Sequence, residues 1–323
     1  MARSVPTVMG VVPGETLGTT LMHEHLFVLD PGLDRDLPHP EWDDERAVAE
    51  AVALLTRLAS LGIGTVVDLT VPGLGRDVAR VQRVAALVPV RIVVATGWYT
   101  ATSLPPYFGT HGPGRLVGGP DPLERLMVQD LETGIAGTGV RAGVIKLVSD
   151  SPGMTADVAR VFAAGAAAHR RTGAPVMTHS DAASRGGLEQ QDVLAAAGVD
   201  LERVVIGHCG DSQDLDYLMR IADRGSSLGF DRFGMAHTQS DEARIATLLA
   251  LLERGYAGRI VLSHDAAVFS RVTPPSWRAR AAPHWRMDHL STTVLPALRA
   301  AGIPQSTLDT IMIDNPRHLL EGP

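Results

Sequence analysis

Eight short apolar runs rich in β-branched residues recur along the chain, each followed by a polar or glycine-containing loop. They occupy residues 17–21, 65–69, 91–95, 142–148, 175–178, 203–207, 227–230 and 259–262. Stretches rich in Ala, Leu and Arg lie between them, for example at 44–61, 77–87, 155–171, 188–197, 214–224 and 241–254. Strands that alternate with helices pair in parallel through right-handed crossovers. Eight such units in 323 residues predict an α/β fold, a single (β/α)8 TIM barrel over residues 1–323. An open doubly wound sheet would place a phosphate-binding glycine fingerprint after an early strand, whereas Gly62-Ile63-Gly64 precedes its strand. Residues 287–301 read as the eighth helix and 304–320 as a short helical tail. No low-complexity segment or long linker divides the chain, and an apolar content of 45% suffices for one sizeable core.

Charge and cysteine content narrow the partners. A formal charge of −7 argues against nucleic acid or an anionic membrane surface. The first 18 residues lack a basic-then-apolar signal pattern, and no later segment reads as a membrane span, so a cytoplasmic location is expected. With Cys209 as the only cysteine, neither an intrachain disulfide nor a thiolate metal cluster can form.

In a barrel of this kind the C-terminal ends of the strands form the active face. Strand one ends in His23-Glu24-His25, and strand four carries Lys146 near its end. Strand five ends at His179, strand six at His208 and strand eight at His264-Asp265. Five of the 12 histidines thus fall at one rim, although strand formation demands no metal ligands there. One strand-end histidine is more often a hydrogen-bonded core residue than a ligand; the joint pattern favours metal. His23 and His25, two apart on a strand, face the axis together and can bind one ion. His179 and His208 come from neighbouring strands and could share a second. Asp265 adds a hard anionic oxygen, and the set suits two divalent ions of zinc, cobalt, iron or manganese.

Among the 29 Lys and Arg residues, Lys146 is the only lysine. An ammonium beside two cations would be strongly disfavoured. A neutral, desolvated amine can instead react with carbon dioxide, giving a carbamate able to bridge two metals. A guanidinium stays protonated and cannot do this. That chemistry gives a reason for one lysine to persist.

These stretches together resemble the phosphotriesterase family of the amidohydrolase superfamily over essentially the whole chain. The matching segments are residues 18–25, Val144-Ile145-Lys146, Thr178-His179-Ser180, residues 206–211 and Leu262-Ser263-His264-Asp265. The resemblance implies that His23, His25 and Asp265 hold the more buried metal, and His179 and His208 the more exposed one. It further implies that N6-carboxylated Lys146 and a hydroxide bridge both ions, and that the protein is a homodimer. Gly97-Trp98-Tyr99 and Asp231-Arg232-Phe233-Gly234 resemble the lactonase branch. Tyr99 would then contact the lactone ring and Arg232 line the pocket. The eighth loop, residues 266–285, is long and apolar enough for an acyl-chain channel, with Phe269, Trp277 and Trp285 as candidates. Ala266-Ala267 departs from the aromatic or cysteine residue that this branch often carries.

The expected reaction is lactone hydrolysis by the bridging hydroxide, with acyl-homoserine lactones or other γ/δ-lactones as substrate and quorum quenching as the setting. Asp265 would take the proton and pass it to the leaving alkoxide. A phosphate triester resembles the tetrahedral intermediate, so organophosphate hydrolysis is expected as a side reaction. The rivals are a primary phosphotriesterase, another carboxylesterase and, more distantly, a non-catalytic binding barrel. Among quieter residues, His264 should point away from the axis. Asp211 reads as a helix cap or part of a proton path, Asp68 as a ligand-orienting or structural carboxylate, and Cys209 as inert packing. The remaining histidines, His237 among them, are assigned no chemistry.

Overall fold

The computed structural model describes residues 4–321. A hairpin of β1 (Ser4–Thr7) and β2 (Gly10–Pro13) precedes eight parallel strands. These are β3 (Thr19–Val28), β4 (Ile63–Asp68), β5 (Arg91–Gly97), β6 (Val144–Val148), β7 (Val176–His179), β8 (Val204–Ile206), β9 (Ser227–Phe230) and β10 (Ile260–Leu262). Neighbours in sequence are neighbours in the sheet, and every pairing is parallel. Each of the eight runs read from the sequence is a strand of the expected TIM barrel.

The sheet closes through the chain that leaves β10. The Asp265 N–H donates to His23 O at 2.9 Å and the His25 N–H to Ala266 O at 2.8 Å. The chain then forms β11 (Ala267–Ser270), parallel to the far half of β3. Two expectations change here. β3 does not end at the histidines but runs on to Val28, and part of the eighth loop is strand. The polar His-Glu-His sequence breaks the apolar pattern that marks a strand, yet β11 supplies backbone partners beyond it.

Side chains inside the barrel alternate as period two requires. Val67, Val93, Val144, Met177, Val205 and Val261 form an inner cluster, which Val5 and the tail residues Leu319 and Leu320 join. Val66, Ile92, Val94, Ile145, Leu147, Val176, Ile206 and Leu262 face outward and pack against the helices. The helices start cleanly. Asp43, Asp77, Thr155, Asp214 and Ser240 each accept a backbone N–H from their first turn.

The eighth helix and the tail depart from the regular helices expected. Each contains a π-helical turn, Leu290–Val294 and Thr310–Asp314, and each turn lies just ahead of a proline, Pro296 or Pro316. Proline has no N–H and its ring crowds the carbonyl four residues back, so a wider turn accommodates it. Among the described residues, no helix is long and apolar enough to cross a membrane.

Candidate metal centre

Strand register carries the polar residues to one place. Val144 and Met177 point into the barrel, so Lys146 and His179, two residues on, point inward as well. Asp265 lies four residues beyond the inward Val261. His208 does not share the parity of the inward Val205; it reaches the cavity with φ of 65°. Asp265 has φ of 53°. The left-handed region is costly for residues with a Cβ, and two of the four described non-glycine residues with positive φ belong to this site.

All six residues expected from the sequence surround one space. Asp265 Oδ1 lies 3.1 Å from His25 Nε2 and 3.4 Å from His23 Nε2. His179 Nδ1 lies 2.9 Å from His208 Nε2. Lys146 Nζ is 3.1 Å from His23 Nε2 and donates to Thr178 O at 3.3 Å. Two ligands that share an ion at about 2.0–2.2 Å sit roughly 2.9–3.5 Å apart, so this donor set fits divalent metal.

Each imidazole has one nitrogen tied back and the other turned toward this space. His23 Nδ1 meets Asp231 Oδ2 at 2.7 Å and His208 Nδ1 meets Asp231 Oδ1 at 2.9 Å. His25 Nδ1 meets Thr70 Oγ1 at 3.0 Å, and His179 Nε2 meets Asp150 Oδ2 at 3.2 Å. These partners fix the tautomers that aim a lone pair inward. Asp68 acts one step behind, accepting the Thr70 hydroxyl at 2.6 Å. Sequence reasoning left Asp68 open and gave no role to Asp231, Thr70 or Asp150.

His23, His208 and Asp231 also bring three ligand atoms close together. Asp231 Oδ1, however, already accepts the His208 backbone N–H at 2.8 Å, and both ring nitrogens facing this carboxylate are at hydrogen-bond distance. We read Asp231 as the carboxylate that orients both rings. Room for it comes from Gly207 and Gly229, where an added Cβ would stand 3.2 Å and 2.9 Å from Asp231 Oδ2.

Protonation states suit cation binding. Burial holds His23 and His179 below the usual imidazole value, and His208 well below it. Burial opposes ionisation of Asp231 and Asp265, but the facing histidines outweigh it and hold both well below the usual carboxylate range. Burial, only partly offset by Asp265 and Asp231, lowers the Lys146 amine to about 8. The site therefore offers neutral imidazoles, ionised carboxylates and an amine that loses its proton readily.

The cavity above these groups has a volume of about 270 Å³. Its walls include Tyr99, Arg232, Met235, His237, Val272 and Trp285. Tyr99 follows Gly97, whose φ of 142° and missing side chain let the backbone lie against Lys146 O. Arg232 is held from two sides, with Nε donating to Asp265 Oδ2 at 3.1 Å and Nη1 to Asp211 Oδ2 at 2.9 Å. Asp211 also receives the buried Arg244 at 2.6 Å, while Asp214 caps the following helix. Of the aromatic candidates in the eighth loop, Trp285 lines the cavity. Phe269 packs away from it against Trp42 and His39, and Trp277 meets His237 edge to face outside the lining. His237, given no role from sequence, does line it. A larger cleft of about 480 Å³ by Arg76 and Ile135 contains none of the six residues.

Comparison with known proteins agrees with this geometry. The sequence profile of the phosphotriesterase family matches residues 3–320. A phosphotriesterase homology protein of Mycobacterium tuberculosis is 44% identical over 98% of this chain and 97% of its own length. An aryldialkylphosphatase of Saccharolobus solfataricus is 35% identical over 95% of this chain and 96% of its own. The solved structure of the phosphotriesterase from Mycobacterium tuberculosis superposes with a TM-score of 0.96, covering 99% of this chain and 98% of that one.

Proposed function

The chain belongs to the phosphotriesterase family, and from that premise we propose that this metal-dependent hydrolase is a binuclear lactonase. Its substrates are acyl-homoserine lactones or other γ/δ-lactones, with organophosphate triesters hydrolysed more slowly. The observation that carries this reading is the wall of the cavity: Tyr99 and Arg232 beside the expected ligands, with the apolar Val28, Leu74, Met235, Val272 and Trp285 and the polar His237, Thr238, Ser270 and Thr273 also in the lining. Polar groups near the reacting ester and an apolar wall for a substituent suit an acylated lactone. We propose one barrel domain over the whole chain and a homodimer.

His23, His25 and Asp265 would hold one ion, His179 and His208 the other, and N6-carboxylated Lys146 both. When bound, two such ions supply Lewis acidity and lower the pKa of water. Asp265, kept ionised and tethered by Arg232, is the base that accepts the proton of the attacking water and returns it to the leaving alkoxide. Arg232 keeps its charge between Asp265 and Asp211, so it can neutralise negative charge that develops on the lactone. Burial and then Asp265 push the Tyr99 phenol up to about 12, which keeps it a hydrogen-bond donor at neutral pH. Tyr99→Phe should lower kcat/KM for lactones by roughly 10- to 100-fold, the worth of a hydrogen bond to a charged acceptor. Metal content should not change. Metal analysis beside lactone kinetics checks this, and a Tyr99→Phe enzyme with normal kinetics would remove Tyr99 from the mechanism.

The substrate reading is tested by measuring kcat/KM for acyl-homoserine lactones, simple γ/δ-lactones and paraoxon. At least one lactone should exceed paraoxon. A paraoxon value above every lactone would replace the reading with a primary phosphotriesterase. Chelation should abolish hydrolysis, and cobalt or zinc should restore it.

A further inference from the structure

We propose that Glu24, the residue between the two histidines of β3, is a positioning residue that holds Asp265 in its strained conformation. The inference rests on the reading of Asp265 as ligand and base. Glu24 is fully buried and lies on the face of β3 opposite His23 and His25. Its carboxylate accepts four hydrogen bonds, all from residues that flank Asp265. Oε1 accepts the Ser263 hydroxyl at 2.8 Å, the His264 backbone N–H at 3.0 Å and His264 Nδ1–H at 2.5 Å. Oε2 accepts the Ala266 backbone N–H at 3.0 Å.

The clamp encloses a strained residue. With donors at positions 263, 264 and 266 bound to one carboxylate, the chain can pass through Asp265 only by a tight turn, and Asp265 takes φ of 53° there. Such strain persists only where surrounding contacts over-determine it. Ser263 Oγ also accepts the His23 N–H at 2.9 Å, tying the clamp to the ligand on the other strand.

His264 extends the clamp outward. Its Nε2 accepts the Leu290 N–H at 2.9 Å, so Nδ1 carries the proton given to Glu24. Its carbonyl accepts Trp285 Nε1–H at 2.8 Å. One carboxylate thus joins β3, the end of β10, the cavity wall at Trp285 and the start of the eighth helix. A merely structural buried glutamate would have no reason to place every bond within two residues of Asp265.

Glu24→Gln keeps the shape but turns an acceptor into an amide NH2. With the amide oxygen toward Ser263 and His264, that group faces the Ala266 N–H, and one bond becomes a donor–donor clash. The experiment compares wild type, Glu24→Gln and Ser263→Ala by amide hydrogen exchange of residues 263–266, metal content after dialysis, and lactone kinetics. Glu24→Gln should exchange His264 and Ala266 at least 10-fold faster even without metal. It should retain fewer ions, and kcat should fall about 10- to 100-fold with KM within threefold. Ser263→Ala removes one of the four donors to Glu24, and with it the acceptor of the His23 N–H, with little change in volume, and should move the same readouts less. A folded Glu24→Gln with wild-type exchange and metal content overturns the proposal. Should Glu24→Gln not fold, unchanged exchange and metal retention in Ser263→Ala overturns it. Exchange in the metal-free protein separates the outcomes: a wild type that binds no metal yet keeps the protection that Glu24→Gln loses would refute the functional reading and leave the clamp standing.

Discussion

Lys146→Ala should leave a folded barrel that binds little metal and loses more than about 100-fold in kcat/KM, beyond the 10- to 100-fold typical of residues that only orient a ligand. The argument begins with burial. Lys146 is 1% exposed, and among the largest fully buried side chains it stands with Arg244 and apolar groups. No carboxylate lies at hydrogen-bond distance from Nζ among the contacts described; its neighbours are the Thr178 carbonyl and His23 Nε2. A buried ammonium in that setting is costly, which is why the amine is lowered to about 8. The neutral amine can attack carbon dioxide, forming an N–C bond and releasing one proton, so a cation becomes an anion facing the histidines. Alanine removes that anion and opens a channel of about the length of the lost side chain. Short-chain carboxylates such as acetate or propionate should enter it and restore part of the metal content and activity. Metal analysis with and without added carboxylate checks the point. Full metal content in unsupplemented Lys146→Ala would remove the bridging role.

Much of this arrangement was legible in the sequence because period-two geometry carries a strand's inward parity into its terminal loop. Val144 to Lys146 and Met177 to His179 follow that rule directly, so apolar runs with a polar end located both residues. His208 breaks the parity and enters through a left-handed backbone conformation. Its place was inferred from residue type, since nothing in the local pattern encodes a positive φ at a non-glycine residue. The orienting groups were harder to see. Asp231, Thr70 and Asp150 are common residue types just past strand ends, where capping and turn formation also use Asp and Thr. What marks Asp231 is its pair of glycine neighbours, Gly207 just past the end of β8 and Gly229 within β9. Only the folded sheet puts them together. β11 escaped notice for a related reason: a four-residue strand in a long loop has no turn signals of its own, and its partner, the end of β3, is disguised by His-Glu-His. Phe269 was misplaced because apolar character says that a side chain is buried, not on which side of a loop.

Asp231→Asn should be nearly as damaging as loss of the lysine, although Asp231 has no place among the expected metal ligands. The carboxylate accepts three N–H groups, His23 Nδ1–H, His208 Nδ1–H and the His208 backbone N–H. An asparagine has one oxygen and one NH2 in place of two oxygens. Whichever way the amide is turned, its NH2 faces one imidazole Nδ1 and makes that nitrogen an acceptor. The proton of that ring must then move to Nε2, the atom aimed at the cavity, and its lone pair is lost to any ion there. Gly207 and Gly229 leave the side chain its room at this position, where an added Cβ would stand 3.2 Å or 2.9 Å from Oδ2. Disturbing one orienting partner costs about 10- to 100-fold, and with one ring's tautomer lost and the other ring left with a neutral acceptor the cost should be roughly 100- to 1,000-fold in kcat/KM. The lower end applies if the second ring is little disturbed, since coupled residues do not add. Nitrogen-15 NMR of the histidines would report the tautomers directly, and metal analysis would report the lost ion. If Asp231→Asn kept a full complement of ions, Nδ1-protonated His23 and His208, and kcat/KM within threefold of wild type, then the two rings would be held by packing alone.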